Sequence, residues 1–271
     1  MALRPPFDLK QLALGAVHRV LRPPSDLRPW VACFWSMSAR ADSDQIVLIP
    51  DACVDFIFSR HEPGGGFLSV SPLEAQHIAL GQHTFYGIRF LPGVFTALTR
   101  IPTKELASLF VQASDVEFPE TEELQSTVAE SRSEADVFQR MQEWVRLLLA
   151  SRSPELNPKL AYALDKIYSG HRLVESEIGS LIGPRQLRRL FAEQTGLSPR
   201  SMIQIMRFQR ALDEFVKTPD QTPSEYFDQA HWIKECKRFT GMTPGSLRRA
   251  LIPEMSDSYN EGDRLHATLT L

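Results

Sequence analysis

Three arginines within one short segment carry side chains suited to nucleic-acid binding. Arg185, Arg188 and Arg189 recur on one side of a helix predicted over residues 185–194, whose other side is leucine and phenylalanine. A guanidinium can donate two hydrogen bonds to guanine or bind a phosphate, so outward arginines at this spacing fit a DNA contact. A solvated helix face with ion pairs to Glu193 and Glu177 is the alternative that the residues leave open.

The end of this helix is repeated further along the chain. Gly196-Leu-Ser-Pro returns 45 positions later as Gly241-Met-Thr-Pro, each time after a segment with helical periodicity. Glycine commonly ends a helix and Ser-Pro or Thr-Pro commonly begins one, so the repeat predicts two similar helical units. The helix before the second copy, predicted from Asp228 to Phe239, exposes three polar side chains: Gln229, His231 and Lys234. Glutamine can read adenine.

The charge of the chain changes sign between its halves. Residues 1–155 contain 14 Lys and Arg against 19 Asp and Glu, whereas residues 156–250 contain 15 against 10. The acidic last 21 residues bring the net charge of the chain to −3. A basic second half favours a polyanionic partner, although a solvated basic face would give the same balance.

The first 110 residues are predicted to be mainly β-strand. Short runs rich in aromatic and β-branched residues are separated by Pro, Gly, Asp or His, at 30–38, 46–50, 54–59, 67–70, 78–81 and 85–90. This spacing without helices between the strands favours an antiparallel sheet or barrel. A packed domain without a pocket and a ligand-binding barrel fit the pattern equally well.

Three charged residues among these strands are candidates for a ligand pocket. Asp51, Asp55 and Arg89 stand in apolar surroundings, so they either face solvent at alternate positions or line a pocket. Exposure to solvent is the favoured expectation.

The chain carries no recognisable catalytic or metal-binding motif. Its cysteines, Cys33, Cys53 and Cys236, form no C-x-x-C pair, so reduced, packed thiols are expected. G-x-S-x-G, H-E-x-x-H and a phosphate-binding glycine loop are all absent from the sequence. The histidines of the first half, His61, His77 and His83, are not spaced as metal ligands. We therefore expect no enzyme activity, no metal and no cofactor, and a cytoplasmic location because no run is long enough to span a membrane.

Helical periodicity begins after Gly93. It predicts a first helix over 94–101, another turn or two from Lys104 to Phe110, and an amphipathic helix from Glu134 to Arg152. The acidic stretch 114–127 is expected to form a surface loop.

The domain organisation follows from these patterns. The predicted fold class is α+β: residues 1–152 form a β-rich sensing or dimerisation domain with flanking helices, and residues 153–250 form an all-α domain. The proline-marked stretch 151–158 is the expected boundary. The acidic tail 251–271 is expected to be disordered.

Two motifs of the helical half carry a family resemblance. They are Ser198-Pro-x-x-x-Ile-x-x-x-Arg-Phe-Gln-Arg-Ala-Leu and Asp228-Gln-Ala-His-Trp-Ile-Lys-Glu, the latter followed by Gly241-Met-Thr-Pro. Over about residues 156–250 the chain resembles the DNA-binding domain of AraC/XylS-type transcription regulators. A looser resemblance, to the β-rich effector domain of some such regulators, is carried by Leu27-Arg-Pro-Trp, Ile49-Pro-Asp-Ala-Cys-Val-Asp and Gly87-Ile-Arg-Phe-Leu-Pro-Gly.

The resemblance implies a double helix-turn-helix, in which one long helix joins two units that each present a recognition helix to the major groove. Arg200 and Arg207, near the start of the long helix, would then bind phosphates. The other implied DNA-contacting residues are Arg185, Gln186, Arg188, Arg189, Gln229, His231 and Lys234.

The chain departs from the family pattern in both units. A complete helix normally precedes the Asp-Gln block, whereas here residues 221–227 leave room for about one helical turn. In the first unit, Glu177–Pro184 is shorter than the corresponding family segment and lacks a serine N-cap. Because the supporting helix orients the recognition helix, these losses are expected to weaken docking on DNA.

The favoured function is a DNA-binding transcription regulator whose N-terminal domain senses a small molecule or dimerises. The alternative is a degenerate relative that acts through protein contacts. Double-stranded DNA is the expected partner, with RNA polymerase and a second copy of the chain, bound through the N-terminal domain, as further candidates.

Overall fold

The amino-terminal half is built on an antiparallel six-stranded sheet. The computed structural model describes residues 16–39, 45–59, 66–79, 81, 83–106, 110–116, 121–170, 178 and 182–257. Across the sheet the strands are β1 (Ala16–Leu21), β2 (Val31–Ala39), β7 (Thr84–Phe90), β4 (Val54–Ser59), β5 (Phe67–Val70) and β8 (Phe110–Gln112). A second, two-stranded antiparallel sheet pairs β3 (Gln45–Leu48) with β6 (Gln76–Ala79). The predicted antiparallel sheet is therefore confirmed.

Alternation along the strands gives the large sheet two different faces. On one face, Phe34, Phe56 and Ile88 belong to an apolar core shared with the helices α1 (Val94–Thr99), α2 (Thr121–Ala129) and α3 (Glu134–Arg152). The Phe56 ring stacks on Trp144 of α3, with ring centroids 5.5 Å apart. The other face carries Cys33, Trp35, Met37 and Ile57 and turns toward the β3–β6 sheet. Side chains of opposite faces alternate because successive residues of a strand point in opposite directions.

Several local expectations for this half were wrong. Two strands, β1 and β8, were not predicted, and the helical turns expected from Lys104 to Phe110 are a 3-10 turn at Thr103–Glu105 and the start of β8. Residues 107–109 lie outside the described part. The acidic loop expected over 114–127 contains helix α2, because Leu124 and Val128, four residues apart, are both buried against the core.

The carboxyl-terminal half is helical as predicted. Its helices are α4 (Pro158–Ser169), α5 (Pro184–Thr195), α6 (Pro199–Lys217), α7 (Gln229–Thr240) and α8 (Pro244–Asp257). The last helix continues to Asp257, so the disorder expected from residue 251 does not hold for 251–257. Residues 258–271 lie outside the described part. Within the residues described, no helix combines the length and apolarity needed to cross a membrane.

The core of the helical half includes residues from the β-rich half. Val47, Ile49 and Ala52, on β3 and in the loop after it, belong to the same buried cluster as Phe208 and Leu212 of α6. The sequence places the boundary at residues 151–158, where α3 ends at Arg152 and Asn157 caps α4. Packing nevertheless crosses that boundary.

We expect the buried thiols of Cys53 and Cys236 to resist alkylation in the folded protein. Burial raises the pKa of Cys53 well above its ordinary value and raises that of Cys236 to about 11, and the thiolate is the reactive form. Mass spectrometry after iodoacetamide treatment at about pH 8 should show modification of these two residues only when urea is added. Rapid modification of either residue without urea would contradict the burial described here.

Candidate nucleic-acid interface and effector cavity

The first recognition helix, α5, separates a buried apolar side from an exposed basic side. Leu187 and Phe191 are buried in the helical core, whereas the four predicted DNA-contacting residues are exposed: Arg185, Gln186, Arg188 and Arg189. Pro184 occupies the first helical position and Gly196 ends the helix in the left-handed conformation (φ 71°). Of the predicted ion-pair partners, Arg189 contacts Glu193 at 4.0 Å. Glu177 lies outside the described residues.

The second recognition helix, α7, is arranged in the same way. Asp228 caps it, its carboxylate accepting a hydrogen bond from the amide of His231 at 2.7 Å. Trp232 and Phe239 are buried, whereas Gln229 and Lys234 are exposed. His231 is half-buried, with its ring edge-on to Tyr226 at 5.0 Å.

The repeat noted in the sequence is a repeat of local geometry. Gly196 and Gly241 both end their helices in the left-handed region, at φ 71° and 73°. The threonine before each glycine donates its hydroxyl to a carbonyl one turn back, Thr195 to Phe191 at 2.8 Å and Thr240 to Cys236 at 2.7 Å. The next helix is then capped in each unit, by Ser198 and by Thr243. The motif is thus Thr-Gly-x-(Ser/Thr)-Pro, and it produces the same turn twice.

The two arginines predicted to bind phosphate have different environments. Arg200, in the first turn of α6, is exposed. Arg207 is half-buried, with its guanidinium over the Tyr226 ring at 5.3 Å and its Nη2 atom 3.5 Å from Oε2 of Glu235. Arg207 therefore joins α6 to α7, and its phosphate contact stays a prediction.

Turns replace the bracing helix of the second unit. Residues 218–228, all of them described, contain no helix, although about one helical turn was expected over 221–227. Pro223, Glu225 and Tyr226 are buried in spite of this, and Tyr226 packs on Trp232 with ring centroids 5.3 Å apart. The segment is therefore packed against the second recognition helix.

Two side chains of α6 hold this segment in place. Arg210 donates to Glu225 at 2.8 Å and to the Ile167 carbonyl at the end of α4 at 3.1 Å. Glu214 accepts hydrogen bonds from the amide and the hydroxyl of Ser224, at 2.9 and 2.8 Å. Side chains of α6 thus give the second recognition helix the support that a separate bracing helix normally gives.

The β-rich half contacts both recognition helices at their carboxyl-terminal ends. At α5, the Thr103 hydroxyl donates to the Gln194 carbonyl at 3.1 Å. At α7, the Ala75 amide donates to the Arg238 carbonyl at 3.2 Å, and the Arg238 guanidinium pairs with Glu74 at 3.3 Å. The amino-terminal ends, which in helix-turn-helix proteins contact base edges, are left away from these contacts.

A third contact fixes the helix between the two units. The buried amide of Gln209, on α6, donates to the carbonyl of Pro50 at 2.7 Å. Gln209 was not identified from the sequence. The sequence feature that could have identified it is a polar residue on the apolar side of an amphipathic helix, between Ile205 and Leu212. Such a residue needs a buried hydrogen-bond partner.

The three charged residues predicted in the strands form a buried cluster. Arg89 is 1% exposed and pairs with Asp51 at 2.9 Å and with Asp55 at 3.0 Å. Asp55 also accepts from the Trp35 indole at 2.8 Å. The expected solvent exposure is therefore wrong, because the charges compensate one another across the sheet, where Asp55 and Arg89 are direct neighbours on β4 and β7.

Burial and pairing act on this cluster in opposite directions. Burial raises the pKa of Asp51 in spite of the nearby Arg89. Burial alone would lower the pKa of Arg89, but the Asp51 and Asp55 carboxylates outweigh it and raise that pKa. Arg89 therefore stays charged, and Asp51 takes up a proton more readily than a solvated aspartate.

A cavity of about 330 Å³ lies between the two sheets. Trp35, Ile57 and Phe85 of the large sheet and Ile46 and Ile78 of the small sheet form much of its wall. Of the three residues predicted for a pocket, Asp55 lines this cavity, whereas Asp51 and Arg89 lie behind it. Gly87 makes room for the Trp35 indole, because a Cβ atom there would lie 2.0 Å from the ring.

Family models match both halves of the chain. Residues 181–250 match the model of a helix-turn-helix domain, and residues 19–112 match that of a domain of unknown function, DUF6597. No sequence among curated proteins matches the chain.

Two solved structures of ToxT from Vibrio cholerae are similar over most of the chain. An apo structure of a single-residue variant from strain SCE256 is 11% identical and covers 90% of this chain and 96% of its own, with a TM-score of 0.39. A second ToxT structure is 10% identical and covers 88% of this chain and 98% of its own, with a TM-score of 0.37.

We expect Arg210→Ala to destabilise the protein by about 3 kcal/mol, because it leaves the buried Glu225 carboxylate without the Arg210 guanidinium. Urea unfolding followed by circular dichroism measures this change in the free energy of unfolding.

Lys217→Ala is the matched control on the same helix. Lys217 pairs with Asp213 at 2.6 Å, but its side chain is 70% exposed, so the loss should stay below about 1 kcal/mol. Equal losses in the two variants would show that the Arg210 pair does not hold the 218–228 segment.

Proposed function

We propose that this chain, which joins an AraC/XylS-type helix-turn-helix domain to an N-terminal DUF6597 domain, regulates transcription by binding specific sequences in double-stranded DNA. The observation that carries this proposal is the pair of recognition helices, α5 and α7, with the same Thr-Gly-x-(Ser/Thr)-Pro ending and with exposed polar outer sides. The balance of charge over residues 156–250, with 15 basic against 10 acidic residues, suits a polyanionic partner.

The exposed side chains suggest a division of roles. On α5, Arg185, Arg188 and Arg189 are candidates for reading guanine, with Gln186 beside them. On α7, Gln229 is a candidate for reading adenine and Lys234 for binding a phosphate or a guanine. Arg200 fits a phosphate contact that positions the domain. His231 is half-buried against Tyr226, so we assign it to the edge of the contact.

We also propose that a small molecule bound in the N-terminal domain controls the protein. The support for this proposal is the cavity of about 330 Å³ between the sheets, which lies at the lower end of the size range of small-molecule sites. Contacts from the same domain to α5, α6 and α7 provide a physical link between that cavity and the recognition helices.

A protein-binding role is the second candidate, and one observation favours it. Phe227, directly before the cap of α7, is 87% exposed. A large aromatic side chain in this position suits a contact with a partner protein. If Phe227→Ala left DNA affinity unchanged but abolished a contact with RNA polymerase, this second role would be supported beside the first.

We expect Arg188→Ala and Arg189→Ala each to weaken binding to a selected DNA site by roughly 10-fold or more, since a bidentate arginine–guanine contact contributes about 1–3 kcal/mol. The site is first selected from a pool of random duplexes with the full chain, and affinity is then measured by gel shift and footprinting. Binding of the unmodified protein should weaken steeply as salt is raised.

Arg152→Ala serves as the control, because Arg152 is also exposed but lies at the end of α3 in the other half. It should keep the footprint and the affinity of the unmodified protein. Footprints that persist unchanged in both α5 variants would remove the first unit from DNA reading, and failure to select any site at low salt would overturn the proposed function.

A further inference from the structure

We infer that the cavity takes an uncharged, mainly apolar small molecule, and that its occupancy reaches the DNA-binding half through the Asp55–Arg89–Asp51 cluster and the contact of Pro50 with Gln209. This inference rests on the proposed function, because it assigns the ligand class and the transmission route of the same regulator.

The walls of the cavity determine the ligand class. Aliphatic and aromatic side chains from both sheets line it, and among its described lining residues the charged one is Asp55. The Asp55 carboxylate already accepts the Trp35 indole and two nitrogens of Arg89, so a ligand cation would find this charge neutralised. A ligand anion would lose its hydration in apolar surroundings, and the described wall offers it no basic side chain, which is unfavourable. An uncharged ligand with one hydroxyl or amide group, directed at the Ser69 hydroxyl in the wall, fits best.

The ion cluster connects the cavity to the loop that follows β3. Asp55, at the cavity wall, pairs with Arg89, and Arg89 pairs with Asp51 in that loop. The loop is itself well fixed: Asp51 accepts from the Cys53 amide at 2.9 Å, and the Ser71 hydroxyl accepts from the amides of Asp51 and Ala52, both at 2.9 Å. A shift of Asp55 therefore displaces Arg89 and strains a loop with few alternative conformations.

The same loop holds the helix between the two DNA-reading units. The residue before Asp51 is Pro50, whose carbonyl accepts the buried Gln209 amide at 2.7 Å. Ile49 and Ala52, on either side, are packed in the helical core. Movement of the loop thus acts on α6, and α6 sets the positions of α5 and α7 relative to each other.

Two fluorescent probes with the same aromatic body test the ligand class. N-phenyl-1-naphthylamine is uncharged, and 8-anilinonaphthalene-1-sulfonate carries a sulfonate. The uncharged probe should bind the full chain saturably with energy transfer from tryptophan, and the sulfonate should bind at least about 10-fold more weakly. Ile78→Phe, which fills the cavity, should weaken binding of the uncharged probe by about 10-fold or more, whereas Leu73→Phe, at an exposed position outside the cavity, should not.

The transmission route is tested by the effect of the uncharged probe on affinity for the selected DNA site. Saturating probe should change that affinity by at least about fivefold in the unmodified protein, the lower end of measured couplings between sites. Gln209→Leu should keep probe affinity within about twofold and abolish the change in DNA affinity, whereas Gln204→Leu on the same helix should retain both. Ser71→Ala, a milder change in the loop, should reduce the coupling if Gln209→Leu does not fold.

The possible failures are distinguishable. No binding of the uncharged probe, equal binding to Ile78→Phe, or equal binding of the sulfonate overturns the ligand class. The route is overturned if the probe still changes DNA affinity in a folded Gln209→Leu protein. If Gln209→Leu does not fold, an unchanged probe effect in Ser71→Ala overturns the route instead. If the chain binds no DNA, the proposed function fails. Hydrogen exchange of the α6 amides with and without probe then decides the route, with unchanged exchange counting against it.

Discussion

The permanent charge of Arg89 is the constraint around which the two halves are organised. A guanidinium does not lose its proton in a protein, so a fully buried one has to be paired in place. Asp55 is supplied by the neighbouring strand, which fixes the register of β4 against β7. Asp51 is supplied by the loop after β3, which draws that loop toward the sheet. The Pro50 carbonyl of this loop accepts a hydrogen bond from the Gln209 amide of α6. The pairing of the Arg89 charge therefore also fixes the position of α6.

The second helix-turn-helix unit keeps its recognition helix by a different physical means. Helix packing normally buries a continuous apolar stripe, but the 218–228 segment contains no helix that could provide one. Here a few polar contacts from α6 and the contact between the tilted rings of Tyr226 and Trp232 hold the segment instead. The Arg210–Glu225 contact tolerates substitution less well than apolar packing does, because replacing Arg210 leaves the buried Glu225 carboxylate without its guanidinium partner.

Local chemistry explains which features could be predicted from the sequence. The endings of α5 and α7 were predicted because glycine, Ser-Pro and Thr-Pro determine backbone geometry within a few residues. The amphipathic helix α3 has the predicted bounds for the same reason, since its periodicity is contained in its own residues. Strand β8 has three residues and exists through its pairing with β5, so it leaves no periodic pattern.

The environment of Asp51, Asp55 and Arg89 could not be predicted in the same way. These residues become partners only when β3, β4 and β7 come together, and the sequence carries no local sign of that pairing. The same holds for Arg207, whose partners Tyr226 and Glu235 follow it by 19 and 28 positions. For the DNA contacts, the structure gives exposure and placement on the helices, and their roles remain predictions.

The apolar side chains of Val47, Ile49 and Ala52 also limit how the two halves of such a protein can be exchanged in evolution. Transcription regulators are often regarded as modular, with a ligand-binding domain and a DNA-binding domain that recombination can exchange at a linker. In this chain the helical half would lose part of its own interior if it were cut from the β-rich half near residue 153, since these three side chains belong to its core. The sequences of the two halves are therefore expected to change together in evolution. A hybrid protein joined at the linker would need a helical half that packs against the loop after β3.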